Sequence, residues 1–105
     1  MIDKLNAILD RFEELDRRLA EAGSDYVLVG ELSKERSELE PAAALARQYK
    51  DNLGKTEETE ELLQVADGEM LELTKAELEA LKEERNRLEG EIKSMLVPKD
   101  PRDAR

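Results

Sequence analysis

The side chains of this 105-residue chain that could carry out chemistry are almost all carboxylates. Asp and Glu number 27, whereas Cys and His are both absent. Two carboxylates work as a general acid and base only in a pocket that shifts a pKa. A chain with 3% aromatic residues predicts no such pocket. The missing Cys and His exclude thiolate and imidazole catalysis, disulfides and metal sites built from those groups. The composition therefore argues against an enzyme in its own right.

The sequence also lacks the motifs of other metal and phosphate sites. Helical di-iron sites need Glu-x-x-His, and the spacing of an EF-hand calcium loop is not found. Phosphate-binding loops need clustered glycines. The five glycines here are isolated from one another: Gly23, Gly30, Gly54, Gly68 and Gly90. We expect no metal and no cofactor.

Cations are the remaining candidates for binding. Lys4, Arg11 and Arg18 recur every seven residues, which places them in a line along one helix. This cation line would contact phosphate or an acidic protein, or it would be a solvated flank that forms ion pairs with another helix. Arg85 interrupts an apolar stripe. It would contact a partner, or it would snorkel or pair with a Glu on a neighbouring helix.

Two helices with regular apolar stripes position these cations. The first is expected from Ile2 to Ala22, with Gly23 after its end and Ser24 or Asp25 as the next N-cap. The last is expected from Glu69 to Val97, where Pro98 ends it. Both stripes alternate steps of three and four residues. Their members are Leu5, Ile8, Phe12, Leu15, Leu19 and Ala22, then Leu71, Thr74, Leu78, Leu81, Arg85, Leu88, Ile92 and Met95.

The middle of the chain carries a less regular pattern. A helix is expected from Tyr26 to about Ala66, because Leu32, Leu39, Ala46 and Leu53 recur every seven residues, with Ala42, Tyr49 and Leu63 on the second seam. Glu60 interrupts the first seam. Pro41 either kinks this helix or breaks it into two, and the continuous register favours one kinked helix. Asp67-Gly68 predicts the turn to the last helix.

These elements predict an all-α fold, an antiparallel bundle of three long helices with coiled-coil-like packing over residues 1–97. Residues 98–105 contain two prolines and five charges, which predicts a linker to a downstream region. The net charge of −10 argues against bulk nucleic-acid binding and favours a basic partner or a local patch. With neither a leader nor a membrane-length apolar run, the cytoplasm is the expected location.

Two motifs carry a resemblance to a known family. Leu32-Ser33-Lys34-Glu35-Arg36-Ser37-Glu38-Leu39-Glu40-Pro41 is similar to a Leu-Ser-Lys-Glu-x-x-x-Leu-Glu-Pro segment of bacterial class I peptide chain release factors. The segment from Met95 to Arg105 resembles the junction of their first and second domains. The likeness is greatest to the type that reads UAA and UAG. The resemblance covers essentially the whole chain and implies the N-terminal helical domain of such a factor.

The resemblance implies a partner and a role. The family hydrolyses peptidyl-tRNA with a Gly-Gly-Gln loop and reads codons with Pro-x-Thr, and both motifs are missing here. The implied function is a non-catalytic module that faces the stalk base of the large ribosomal subunit, near ribosomal protein or rRNA. As a fragment it is expected to be monomeric. The alternative hypothesis is a self-standing coiled-coil adaptor that dimerises through its stripes.

Overall fold

The computed structural model describes residues 1–96, and its elements are all helical. They are α1 (Ile2–Glu21), α2 (Tyr26–Val65) and α3 (Gly68–Leu96). None of these residues lies in a strand, so the predicted all-α class is confirmed. The predicted helix end at Val97 and the predicted linker, residues 98–105, lie outside the described residues.

The turn between α1 and α2 follows the predicted capping pattern. Gly23 has a φ of 60°, a left-handed conformation that glycine adopts without a steric penalty and that commonly ends a helix. The carboxylate Oδ1 of Asp25 accepts a hydrogen bond from the Leu28 amide at 3.1 Å. Asp25 is therefore the N-cap of α2, and it satisfies one of the amides that a helix start leaves without a partner.

Helix α2 is one continuous helix of 40 residues that contains Pro41 in its interior. The interpretation as a single helix is confirmed, and the alternative of a break at Pro41 is wrong. Proline has no amide hydrogen, so the Ser37 carbonyl loses the backbone bond that residue 41 would normally donate. Both residues are exposed, so water can hydrate this carbonyl.

The chain divides into two compact units, each a pair of helical segments. The first unit, Met1–Arg47, contains α1 and the first half of α2. Because a short turn joins the two segments and Arg11 bonds Glu35, they run antiparallel. The buried apolar side chains of this unit come from both segments: Leu5, Phe12, Leu15, Leu32, Ala43 and Ala46. The predicted stripe of α1 therefore forms its core.

The second unit, Gln48–Arg105, contains the rest of α2 and all of α3. These two segments are also antiparallel, because Tyr49, at the start of this part of α2, bonds to Glu89, near the end of α3. The α3 stripe lies inward as predicted, with Thr74, Leu81, Leu88 and Ile92 buried. Helix α2 differs from expectation. Leu53 of the predicted first seam is only half-buried, and Glu60, which interrupts that seam, is exposed. Tyr49 of the predicted second seam is buried, together with Asn52, Thr56 and Thr59.

This half of α2 buries polar side chains because each finds a hydrogen-bond acceptor within reach. The hydroxyls of Thr56 and Thr59 donate to the carbonyls of Asn52 and Lys55, four residues earlier in the same helix, at 2.8 and 2.7 Å. A buried hydroxyl is costly only when it lacks such a partner. In this half of α2 the first seam thus runs through Asn52 and Thr59, one residue before the positions that apolar periodicity predicts, whereas Tyr49 and Thr56 lie on the second seam.

No helix within residues 1–96 is both long enough and apolar enough to cross a membrane.

Candidate functional site

The three residues of the predicted cation line occupy different environments along α1. Lys4 is exposed, whereas Arg11 and Arg18 are half-buried. Their spacing of seven residues keeps them on one side of the helix, as predicted. The three cations are therefore not equivalent, and the contacts of each decide what it can bind.

Arg11 forms a two-pronged ion pair with Glu35 of α2. Its Nε and Nη2 donate to the two carboxylate oxygens of Glu35 at 2.6 and 2.7 Å, and its Nη1 lies 3.3 Å from Glu14. This is the bidentate geometry in which a guanidinium binds a carboxylate best. Hydrogen bonding from Arg11 lowers the pKa of the Glu35 carboxyl, and the nearby charge of Arg18 adds to this effect. Arg11 therefore serves the pairing of α1 with α2.

A second arginine contact lies around Phe12, which is buried in the same unit. The guanidinium carbons of Arg36 and Arg47 lie 4.5 and 5.1 Å from the centre of the Phe12 ring. Both distances are within the range of cation–π attraction. Arg36 is also held by the carboxylate of Asp16 and, at 3.4 Å, by that of Glu40. These contacts fix the two segments of the first unit against each other.

The second unit contains a buried amide that the sequence pattern does not reveal. Asn52 is 1% exposed, and its Nδ2 donates to the Leu81 carbonyl at 2.9 Å and to Glu84 Oε1 at 3.1 Å. Its Oδ1 is buried without a hydrogen-bond partner. A buried amide that bonds across two helices favours one register over its neighbours. We therefore assign Asn52 a structural role in α2–α3 pairing.

Tyr49 and Arg85 belong to the same unit. The Tyr49 hydroxyl donates to Glu89 Oε2 at 2.8 Å. Burial raises the pKa of Tyr49, the bond to Glu89 raises it further, and the positive charge of Arg85 opposes the rise. Arg85 is half-buried and interrupts the α3 stripe as predicted. Of the predicted interpretations of Arg85, the effect of its charge on Tyr49 favours a role inside the unit.

Exposed apolar side chains mark the turn between α2 and α3, and the sequence pattern did not single them out. Leu62 and Val65 at the end of α2, and Met70 and Leu73 at the start of α3, are between 41% and 79% exposed. We call these four residues the apolar tip face.

Within residues 1–96 no group of three or more acidic, His or Cys side chains is arranged to hold a metal ion.

Comparison with known proteins identifies relatives over almost the whole chain. Residues 8–105 match the PCRF domain. The chain is 43% identical over 103 residues to peptide chain release factor 1 of Campylobacter concisus, an alignment that covers 96% of this chain and 28% of the relative. It is 41% identical over 105 residues to peptide chain release factor 1 of Helicobacter pylori, which covers 98% of this chain and 29% of the relative.

A third relative is similar to the same extent. The identity to peptide chain release factor 1 of Campylobacter jejuni is 42% over 107 residues, which covers 100% of this chain and 30% of the relative. The chain thus spans less than a third of the length of the curated relatives it matches. No solved structure matches significantly. The predicted resemblance to release factors is confirmed, and the chain belongs to the PCRF domain family.

Proposed function

We propose that this chain is a non-catalytic module of a translation termination factor and that it faces the stalk base of the large ribosomal subunit. Other domains of the factor would read UAA and UAG and trigger hydrolysis of peptidyl-tRNA. The observation that carries this proposal is the match of residues 8–105 to the PCRF domain, together with 41–43% identity to proteins named peptide chain release factor 1. A role on the ribosome puts the chain in the cytoplasm.

The chemistry of the chain supports a non-catalytic role. Its sequence contains no Gly-Gly dipeptide, so it has no Gly-Gly-Gln loop, and it contains no His or Cys. Its buried polar groups in the second unit, such as Asn52 and Tyr49, bond to other side chains or to backbone of the same unit. These groups support the helix pair, and release of the peptide would belong to the rest of the factor.

The cation line is the proposed RNA-facing or protein-facing surface of the first unit. Lys4 and Arg18 supply its positive charge, whereas the carboxylate of Glu35 neutralises that of Arg11. We therefore assign ligand contact to Lys4 and Arg18. Arg11 would position α1 through its bond to Glu35. Contacts to phosphate through two cations would make ribosome binding fall as salt is raised.

Equilibrium binding to purified ribosomal subunits tests this function. The chain has no cysteine, so a Ser33→Cys variant accepts one fluorophore at an exposed position. We expect binding to large subunits, weaker binding to small subunits, and no release of peptide from termination complexes. Equal binding to both subunits, or none, would contradict the proposal.

Variants of the cation line test the contact surface within the same assay. Lys4→Gln combined with Arg18→Gln should weaken binding to the large subunit severalfold, because each removes one cation. Lys34→Gln combined with Lys93→Gln removes the same charge from exposed positions elsewhere, and should weaken binding less. If the two double variants bind alike, only net charge matters and the cation line is not the contact surface.

The alternative, a coiled-coil adaptor, requires an apolar stripe that is free to pair with a second copy. The stripe residues Leu5, Phe12 and Leu15 of the first unit, and Leu88 and Ile92 of the second, are already buried within one chain. This burial favours a monomer. Sedimentation equilibrium at tens of micromolar should give the mass of one chain, about 12 kDa, and a dimer would favour the adaptor.

A further inference from the structure

The middle cation of the line on α1 is bound by a carboxylate, whereas the two outer cations are not. Arg11 forms its two-pronged pair with Glu35 at 2.6 and 2.7 Å. Lys4 and Arg18 form no ion pair with any other residue within 1–96. The three evenly spaced cations therefore offer a ligand two open charges and one neutralised charge.

Two further carboxylates lie on the same side of α2 as Glu35. Glu31 precedes it by four residues and Glu38 follows it by three, and both steps keep side chains on one side of a helix. Both are exposed, and neither forms an ion pair in the part of the chain that the structure describes. Of the three carboxylates on this side of α2, the middle one binds the middle cation of α1.

The Glu35 carboxylate fully occupies the donor fork of Arg11. Nε and Nη2 both donate to Glu35, and Nη1 lies 3.3 Å from Glu14. Hydrogen bonding from Arg11 lowers the pKa of Glu35, so this carboxyl stays ionised at neutral pH. A guanidinium fork binds phosphate in the same bidentate manner as carboxylate, so a phosphate group could bind Arg11 only by displacing Glu35.

The spacing of the cation line suits an extended polyanion. Lys4 and Arg18 are separated by two steps of seven residues, about 21 Å along the helix axis, and Arg11 lies midway. An RNA backbone carries one phosphate per nucleotide and so offers an anion near each position. An acidic protein would only exchange one carboxylate on Arg11 for another. Such an exchange gains little, because the helix pair already holds Glu35 beside Arg11.

We propose that Glu35 limits the affinity of the first unit for RNA by occupying Arg11, so that α1 presents two phosphate-binding cations in place of three. Sequence-independent binding to nucleic acid grows with the number of phosphates that a protein neutralises. The Arg11–Glu35 pair therefore keeps the chain from being held by RNA in general. This inference deepens the proposed contact surface and rests on the proposed function for its setting, whereas its test uses free RNA.

Fluorescence anisotropy of a labelled poly-U oligonucleotide, long enough to span the cation line, measures this affinity. Glu35→Gln keeps the size of the side chain and removes its charge. We expect it to tighten binding severalfold at about 50 mM salt. The slope of log affinity against log salt should steepen by about 0.7, the contribution of one phosphate on a single strand. Circular dichroism at 222 nm should show the helix content of the parent chain.

Glu31→Gln is the matched control, because it removes the same charge from an exposed position one turn earlier on the same side of α2. We expect a smaller gain in affinity and an unchanged salt slope. Glu35→Gln combined with Arg11→Gln should return the affinity to that of the parent chain. Equal gains from Glu35→Gln and Glu31→Gln would show that only net charge matters and would overturn the inference. An absence of measurable poly-U binding by Glu35→Gln would also overturn it.

Exchanging the two charges tests the inference without breaking the pair. Arg11→Glu combined with Glu35→Arg keeps opposite charges at the same two positions and leaves the net charge unchanged. This variant should bind poly-U as weakly as the parent chain does, because its arginine is still neutralised. A severalfold loss relative to the parent chain would show that Arg11 already contacts phosphate, and the inference would then be wrong.

Two further measurements separate the class of ligand and the two proposals. If Glu35→Gln gains as much affinity for poly-glutamate as for poly-U, the ligand is an acidic protein and the inference is overturned. Binding of the parent chain to purified large subunits is measured alongside. If the chain binds large subunits but Glu35→Gln gains nothing on poly-U, the inference fails and the proposed function stands. If the gain on poly-U is found but large subunits are not bound, the proposed function fails and the effect of Glu35 on RNA affinity stands.

Discussion

Replacing Asn52 by Asp exchanges the buried amide NH2 group for a carboxyl oxygen, and this change tests the pairing of α2 with α3. The Asn52 amide donates to the Leu81 carbonyl and to the Glu84 carboxylate, and the side chain is 1% exposed. An ionised aspartate donates no hydrogen bond, and it would face the Glu84 carboxylate at the same position. We expect the folded state to keep this new carboxyl protonated, because both burial and a like charge raise its pKa.

The size of the effect follows from proton linkage. An Asp in the unfolded chain has a pKa of about 3.9, and each pH unit between that value and the solution pH costs about 1.4 kcal/mol if the folded state stays protonated. Asn52→Asp should therefore lower the free energy of unfolding by about 4 kcal/mol at pH 7 and by about 1.5 kcal/mol at pH 5. A protonated carboxyl can make one of the two original bonds, and the lost one adds about 1 kcal/mol at either pH.

Urea unfolding followed by circular dichroism at 222 nm, at pH 7 and pH 5, measures both values. Asn86→Asp is the matched control, because Asn86 is exposed on α3, where such a change alters stability by about 0.5 kcal/mol or less. If Asn52→Asp behaves like Asn86→Asp at pH 7, or if its cost does not shrink at pH 5, Asn52 is not buried between the two helices and the described register is wrong.

Three further predictions follow from the packing of the helices. Leu88→Ala, at a fully buried position, should lower the free energy of unfolding by about 2–5 kcal/mol, whereas Leu73→Ala, at a side chain that is 57% exposed, should cost about 1 kcal/mol or less in the same urea assay. Pro41→Ala should raise the melting temperature, because alanine restores the missing backbone bond inside α2; a lower value would mean that the helix depends on the proline. Tyr49 has a pKa raised above the ordinary value of about 10 by burial and by Glu89, so the unfolded chain loses this proton first. The difference in free energy of unfolding between the parent chain and Tyr49→Phe should therefore be constant below about pH 10. Above that pH the parent chain should lose stability relative to Tyr49→Phe. A difference that does not change with pH would contradict the Tyr49–Glu89 contact.

Most of the fold follows from apolar periodicity. The stripes of α1 and α3 have steps of three and four residues, and their central members Phe12 and Leu88 are buried as predicted. Helix bounds agree within about one residue over residues 1–96, because Gly23 and Asp25 form a strong stop-and-start signal. The sequence left two alternatives open at Pro41, because the free-energy cost of a proline inside a helix does not by itself decide between a continuous helix and a break.

The second half of α2 escaped prediction for a physical reason. Periodicity follows apolar residues, so the predicted first seam runs through Leu53 and is interrupted at Glu60. The chain instead buries Asn52, Thr56 and Thr59, whose amide nitrogen and hydroxyl groups donate to backbone carbonyls and so tolerate burial. A line of short polar residues at steps of three and four was the signal available in the sequence.

The candidate contact surfaces were predicted only in part. The spacing of Lys4, Arg11 and Arg18 correctly predicts one side of a helix, but it carries no information on Glu35, which lies 24 residues after Arg11 and binds it. The apolar tip face was not predicted, because Met70 and Leu73 lie off the apolar stripe of α3 that the sequence shows. Their exposure depends on which neighbouring residues form the core, and that depends on the register of the pair.

Cryo-electron microscopy of the large ribosomal subunit saturated with this chain tests the central claim most directly, since it locates the chain and its contacts together. The account predicts helical density at the stalk base, with Lys4 and Arg18 of α1 against the subunit. Density elsewhere on the subunit, or none at saturating concentration, would contradict the claim that this chain is a ribosome-facing module of a termination factor.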